Sequence, residues 1–242
     1  MVQAPRRTVV RGPTFVRLLA RLADGAVASA APPLADRLSQ WLDWNQAIAL
    51  STALDGKPAG TTFPGSPAGD EVEAEACVHA RTSLTQAIAQ APELAAPAAG
   101  KGDDAAAGPN AIAEADLDYA VFRQRYLTLQ RAMQAATGRL RGRLRDRLAQ
   151  RSTELARLAD VDAVMEQALS PREQTLFATI PTILGTHFER LREAAHAASP
   201  EDAVPAGAWL DVFRKDMQSV LLAELDVRFQ PVEGLLAALR AS

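Results

Sequence analysis

The sequence is short of cysteine, of lysine and of long apolar runs, and each shortage excludes a class of protein. Its one cysteine, Cys77, cannot form a disulfide within the chain, which argues against a disulfide-stapled secreted domain. Only 3 of the 26 basic residues are lysines, and with 50 alanines this skew is typical of GC-rich bacterial genomes. No window approaches the roughly 18 apolar residues of a membrane span. We therefore expect a bacterial cytoplasmic protein with no membrane span.

Residues that carry catalysis or bind metals are also scarce. Cys77 and His79 are two positions apart, on different sides of a helix, and no second ligand pair follows at zinc spacing. His187 and His196 accompany no nucleophile signature or glycine-rich phosphate loop, so we expect them to be exposed or capping residues. The sequence predicts no enzyme, no cofactor and no metal site.

Helical periodicity dominates what is present. Phe15, Leu18 and Leu22 fall on one face of a short helix, and no segment alternates convincingly as a strand. These patterns predict an all-α fold, an antiparallel helical bundle with a long central coiled-coil-like helix. We expect an N-terminal helical segment (1–90), a flexible linker rich in alanine, proline and glycine (91–112) and a C-terminal helical bundle (113–242).

The central helix carries an apolar seam with heptad-like spacing. An unbroken helix over 114–169 would be roughly 84 Å long, and Ser170-Pro171 is expected to start the next helix. Such a helix must pack against other helices of its chain or pair with a second chain, and we expect the protein to self-associate through the seam over 119–169. Its members are Tyr119, Phe122, Tyr126, Leu129, Met133, Leu140, Leu144, Leu148, Leu155 and Leu158.

A block of arginines, TGRLRGRLRDRLAQR at 137–151, borders this seam. Residues 131–157 carry a net charge of plus 6 and the rest of the chain minus 9 (minus 3 in total), so the protein contains its own counter-charge. We expect the arginines to lie over a helical interface. The block consists of Arg139, Arg141, Arg143, Arg145, Arg147 and Arg151. The candidate counter-charges are Asp70, Glu71, Glu73 and Glu75, or the C-terminal Glu224, Asp226 and Glu233. We expect Glu224 and Asp226 on a solvated helix face in preference to an acid and base pair.

External anions are the alternative partners of the block. Such a helix can bind nucleic-acid phosphate, an acidic protein surface or anionic lipid. No aromatic residue interleaves with the arginines, and no helix-turn-helix or zinc-finger pattern is present. Nucleic-acid binding through Arg139 to Arg151 is therefore the second hypothesis.

Two tryptophans and the first helix offer further candidate surfaces. Trp41 and Trp44 in QWLDWNQA are expected in the core, with a protein-binding hot spot as the alternative. The short helix containing Phe15 is expected to pack onto the bundle in preference to a membrane surface.

Five stretches together resemble a family of uncharacterised proteobacterial proteins known as a domain of unknown function. They are RGPTFVRLLARLAD (11–24), LSQWLDWNQAIALSTALDG (38–56), RYLTLQRAMQ (125–134), LADVDAVMEQAL (158–169) and VLLAELDVRFQPVEGLLAALR (220–240). The resemblance brings no catalytic residue. It implies an accessory of a cell-envelope complex of the proton-channel type. From the residues, we expect a non-enzymatic interaction or scaffold protein with a protein partner or a second copy of itself.

Overall fold

The computed structural model describes residues 14–23, 42–55, 67–95, 118–197 and 207–241, and in these residues all regular structure is helical. The helices are α1 (Thr14–Leu22), α2 (Trp44–Asp55), α3 (Pro67–Ala89), α4 (Tyr119–Ala149), α5 (Thr153–Ala178), α6 (Ile180–Ala197) and α7 (Ala208–Arg240). The predicted all-α helical bundle is confirmed. None of the described helices is both long and apolar enough to span a membrane.

Local side-chain chemistry sets where two of these helices begin. Asp43 and Gln46 form a reciprocal capping box, with each side chain accepting a hydrogen bond from the other's backbone N–H at 2.8 and 3.0 Å. Ser152 caps α5, since its backbone is extended and its hydroxyl accepts a hydrogen bond from the Leu155 N–H at 3.2 Å.

The predicted long helix over 114–169 is wrong, because the chain turns at Gln150 to Ser152 and starts a new helix there. Ser152 favours this break, since a serine cap satisfies a backbone N–H that would otherwise lack a partner. The expected start at Ser170-Pro171 is also wrong, because Pro171 lies inside α5. The helix continues through Pro171 although an internal proline costs roughly 3 kcal/mol, and Ala168 and Phe177 on either side of it are buried.

The chain divides into two compact units that draw on both sides of the expected linker. Unit 1 comprises Met1–Val27, Leu84–Arg131 and Ile180–Glu224, and unit 2 comprises Ala28–Ser83, Ala132–Thr179 and Leu225–Ser242. Helices α3, α4 and α7 therefore contribute residues to each unit. Of the expected linker, residues 91–95 form a turn with Ala91 and Leu94 buried, and residues 96–112 lie outside the described part.

Aromatic rings form the core of unit 1. Phe188 lies 5.0 Å from Phe213, 5.8 Å from Phe122 and 5.1 Å from Trp209, measured between ring centroids. Most of these pairs are edge-on or tilted, the arrangements that aromatic quadrupoles favour. Tyr119 borders the cluster, and burial raises the pKa of its hydroxyl to about 12. Helix α1 packs against α6, as expected for the N-terminal helix.

Leucine and alanine side chains dominate the core of unit 2. From α4, Leu140, Leu144 and Leu148 are buried, whereas α5 buries Ala156 and Ala159. Small alanine side chains let neighbouring helices approach closely, and α2 packs against α5. The continuation of the seam to Leu155 and Leu158 is therefore wrong. Leu155 is half-buried and Leu158 exposed, because the turn at 150–152 resets the phase of the buried stripe.

Candidate functional site

One edge of the arginine block faces α5. Arg141 binds Asp162 through two hydrogen bonds, Nε to Oδ2 at 2.8 Å and a terminal nitrogen to Oδ1 at 2.7 Å. Arg145 contacts Asp162 at 3.2 Å and Glu166 at 2.5 Å. Because the two arginines and the two acids are each one helical turn apart, the contacts join α4 and α5 as an antiparallel hairpin.

These pairs are largely shielded from solvent. Side-chain exposure is 15% for Arg141 and 13% for Asp162. Burial by itself would lower the pKa of the Arg141 guanidinium, but hydrogen bonding to Asp162 and the charges of Asp162, Glu166 and Glu173 raise it above its ordinary value. Arg141 is therefore held as a cation by its own chain.

The other edge of the block faces α3. Arg143 binds Glu73, with its closer contact at 2.6 Å, while Arg147 and Arg151 lie 3.2 and 2.9 Å from Asp70. Gly69 permits this approach, because a Cβ there would lie 2.2 Å from a terminal nitrogen of Arg147.

Five of the six block arginines thus pair with carboxylates of the same unit. Asp70 and Glu73 belong to the predicted counter-charges, whereas Asp162 and Glu166 were missed. Asp162 and Glu166 are four residues apart, as are Arg141 and Arg145. This match predicts ion pairs only when the turn at 150–152 is known, because the turn brings α5 alongside α4. Arg139 is exposed and forms no ion pair within the described residues.

The α4 part of the predicted seam is enclosed by the chain itself. Six seam side chains of α4 between residues 126 and 148 are buried, as is Phe122, and Tyr119 is half-buried. In unit 1 these are Phe122, Tyr126 and Leu129, and in unit 2 they are Met133, Leu140, Leu144 and Leu148. The seam closes within one chain, which leaves these side chains unavailable to a second copy.

Glu224 is a buried carboxylate of unit 1, although a solvated face was expected for it. Its exposure is 0%, and it accepts hydrogen bonds from the Tyr126 hydroxyl and, at 3.1 Å, from the Gln130 amide. These donors explain why Glu224 can be buried, since a carboxylate is stable in a core only with hydrogen-bond partners. Asp226 and Glu233 belong to unit 2 and instead contact Arg81, which lies 5.4 Å from the Phe229 ring centroid.

His187 is also buried, which corrects the expectation of an exposed or capping residue. Its Nε2 lies 2.8 Å from Asp216 Oδ2, and its Nδ1 lies 2.8 Å from a terminal nitrogen of Arg190. Arg21 of α1 contacts the same Asp216 at 3.0 Å, and Arg190 donates to the Leu22 carbonyl at 3.1 Å. The two imidazole nitrogens therefore position Asp216 and Arg190, the residues that contact α1.

His196 is exposed, and its Nδ1 donates to the Arg192 carbonyl at 2.6 Å in the last turn of α6.

Trp44 is not a core residue, in contrast to the prediction. It is 78% exposed at the start of α2, and Ile48 and Leu54 of the same helix are also exposed. The inward face of α2 is supplied by half-buried residues such as Leu50 and Ala53, so Trp44 points outward by helical geometry. Trp41 lies outside the described residues.

Metal-binding clusters do not occur in the described part of the chain, where no group of three or more histidine, cysteine or acidic side chains converges. Cys77 is buried, and burial together with the nearby Glu73 raises the pKa of its thiol. His79, two residues on, is exposed, as the expected placement on different helix sides requires.

The described residues define an all-helical protein in which five arginines of a basic helix segment pair with acids of their own unit, while an apolar face of α2 stays exposed. Comparison with protein families places the chain more narrowly. The model of the family described as "Protein of unknown function (DUF3348)" matches residues 1–241, so the chain belongs to this family. No curated protein and no solved structure matches it.

Proposed function

We propose that the protein is a non-enzymatic interaction protein that binds a protein partner or a second copy of itself through the exposed face of α2. The observation that carries this proposal is Trp44, which is 78% exposed, with Ile48 exposed one turn further along α2 and Leu54 exposed near its other end. Tryptophan is enriched among interface residues that contribute most to binding. Trp44 and Ile48 lie one turn apart on the same face of α2, and adjacent exposed apolar side chains are a feature of binding surfaces.

The pairing of the arginine block favours this function over nucleic-acid binding. A phosphate contact by Arg141 or Arg145 would have to displace Asp162 and Glu166, which already supply compensating charge. Breaking a largely buried pair costs about 3 kcal/mol or more. Arg139 by itself supplies one cation, which gives little of the salt-dependent affinity that phosphate binding requires.

The His187–Asp216 pair likewise supports a structural role. A general base needs a ring nitrogen free to take a proton from substrate. Both nitrogens of His187 are occupied, one by Asp216 and one by Arg190.

The finer parts of the proposal concern compartment and partner. We propose the cytoplasm, since the lone Cys77 is buried and carries no disulfide. A cell-envelope complex of the proton-channel type is the partner class that the family resemblance implies.

Affinity purification of the tagged full chain from its native organism, with and without nuclease, tests the proposal. Proteins that persist after nuclease and are lost with Trp44→Ala support it. Val212→Ala is the matched control, because Val212 is an exposed apolar residue of unit 1. Partners that vanish with nuclease and with Arg139→Glu, but not with Trp44→Ala, would replace the proposal with the nucleic-acid hypothesis.

A further inference from the structure

Unit 2 carries a convex apolar ridge on α2. Trp44, Ile48 and Asp55 are spaced i, i+4 and i+11, so they share one face of the helix, with Leu54 beside them. All four side chains are exposed. The ridge, defined by these four residues, is apolar at its N-terminal end and ends in a carboxylate.

Unit 2 also carries a concave surface, a groove of about 530 Å³ between α3 and α4. Its floor is aliphatic and mostly small: Val72, Ala76 and Ala80 from α3, and Ala136 and Leu140 from α4. Val72 is exposed although it is apolar. A groove of this kind between two helices is a common receptor for the apolar face of a third helix.

The walls of the groove carry opposite charges, and two of the charged residues form no ion pair in the described part of the chain. Glu75 and His79 line the α3 side, and Arg139 and Arg143 line the α4 side. Neither Glu75 nor Arg139 forms an ion pair within the described residues, although both are exposed. Arg139 is therefore available to a carboxylate from another molecule, and Arg143 stays 48% exposed beside its contact with Glu73.

The ridge is somewhat longer than the groove. Val72 to Ala80 spans eight residues, about 12 Å of helix, and Trp44 to Asp55 spans eleven, about 16 Å. Because Arg143 pairs with Glu73, it lies at the Val72 end of the groove. With the indole of Trp44 over the small Ala80 and Ala136 side chains, Asp55 would fall just beyond the Val72 end, on the side of Arg143, which keeps its contact with Glu73 and is 48% exposed.

We infer that the ridge of one copy docks into the α3/α4 groove of a second copy of this chain. The inference rests on the proposed interaction function and names the partner of the α2 face. A second copy is favoured because this unit supplies both the convex and the concave surface, and because Asp55 complements the basic wall. Ridge and groove are different surfaces, so the contact is head-to-tail and each copy retains one unused surface unless a ring closes.

Sedimentation velocity of the full chain, from low to high micromolar concentration, tests the inference. The wild-type mass should rise with concentration. Trp44→Ala should weaken self-association roughly 30-fold, the effect of removing an interface hot spot. Ala136→Leu should do the same by filling the groove, whereas Val212→Ala should leave the association unchanged.

Mixing the two variants gives the sharper readout. Trp44→Ala retains an intact groove and Ala136→Leu an intact ridge, so each should be monomeric by itself and the mixture should form a heterodimer that does not grow. Ile48→Glu with Ala80→Leu provides a second pair should either variant lose its helical circular dichroism.

Wild-type chain that stays monomeric at every concentration, or a mixture that stays monomeric, would overturn the inference. If monomeric chain still captures a partner in a Trp44-dependent manner, the proposed function stands and the second copy is not the partner. If neither self-association nor partner capture depends on Trp44, both the proposed function and this inference are wrong.

Discussion

Unit 1 buries hydrogen-bonded polar groups beside a cluster of aromatic rings, whereas unit 2 joins leucine- and alanine-rich helices with arginine–carboxylate pairs. In unit 1, Glu224 and His187 are buried with partners that satisfy them. In unit 2, Arg141 and Arg143 contact acids on two different helices. In unit 2, ion pairs of the arginine block connect α4 to α3 and α5. In unit 1, contacts between aromatic rings stabilise the core.

The largest loss of stability is expected for a substitution of Phe188 in the aromatic core of unit 1. Phe188→Ala removes a ring that contacts Tyr119, Phe122, Trp209 and Phe213, and leaves a cavity at a fully buried position. We expect a loss of about 3 to 5 kcal/mol in the free energy of unfolding, measured by urea denaturation, with little dependence on salt. Val212→Ala, at an exposed position, should change it by less than about 0.5 kcal/mol. Equal losses for the two variants would contradict the importance of the ring cluster.

Asp162→Asn tests the largest charge cluster of unit 2. It removes the carboxylate shared by Arg141 and Arg145 and leaves Glu166 to serve both. We expect a loss of about 2 kcal/mol in urea denaturation, smaller at high salt because screening weakens the remaining imbalance. Asp160→Asn on the same helix is the control, since Asp160 is exposed. A loss that is the same at every salt concentration would count against an electrostatic origin.

A smaller effect should separate two neighbouring arginines of the block. Arg143→Glu places a second acid against Glu73 and should cost about 1 kcal/mol, whereas exposed Arg139→Glu should be nearly neutral. Thermal unfolding followed by circular dichroism measures both. If Arg139→Glu proves the more destabilising variant, the assignment of Arg143 as the structural residue is wrong.

The smallest effect is a pH dependence in unit 1. Hydrogen bonding to Arg125 lowers the pKa of Glu93 below its ordinary value of 4.5, so this pair stabilises the fold above pH 4.5. The contribution is lost as pH falls through the lowered pKa, where the folded state must also take up the proton. Arg125→Gln should therefore remove up to about 1 kcal/mol at neutral pH and less in acid. A deficit that is equally large at pH 3 and pH 7 would exclude this linkage.

Much of the helical architecture can be predicted from the sequence. Leu140, Leu144 and Leu148 recur at helical spacing, and all three are buried. The excess charge of the arginine block likewise indicates a counter-charge within the chain, and Asp70 and Glu73 supply part of it. Periodicity and net charge are local or additive properties, which is why they are accessible without a fold.

Other features depend on which segments meet. Glu224 and Asp226 look alike in sequence, yet one is buried against Tyr126 and the other exposed beside Arg81. The exposed position of Trp44 depends on which face of α2 meets α5, and α2 is apolar on more than one side.

By itself, then, the sequence determined the helical class, the buried stripe of α4 and the excess positive charge of the arginine block, because each follows from residue spacing and composition. Tertiary structure alone decided the turn at 150–152, the pairing of Arg141 with Asp162 and the exposure of Trp44. The physical reason is that a helix offers several faces of similar hydrophobicity, and only contact with its neighbours selects the one that leaves water.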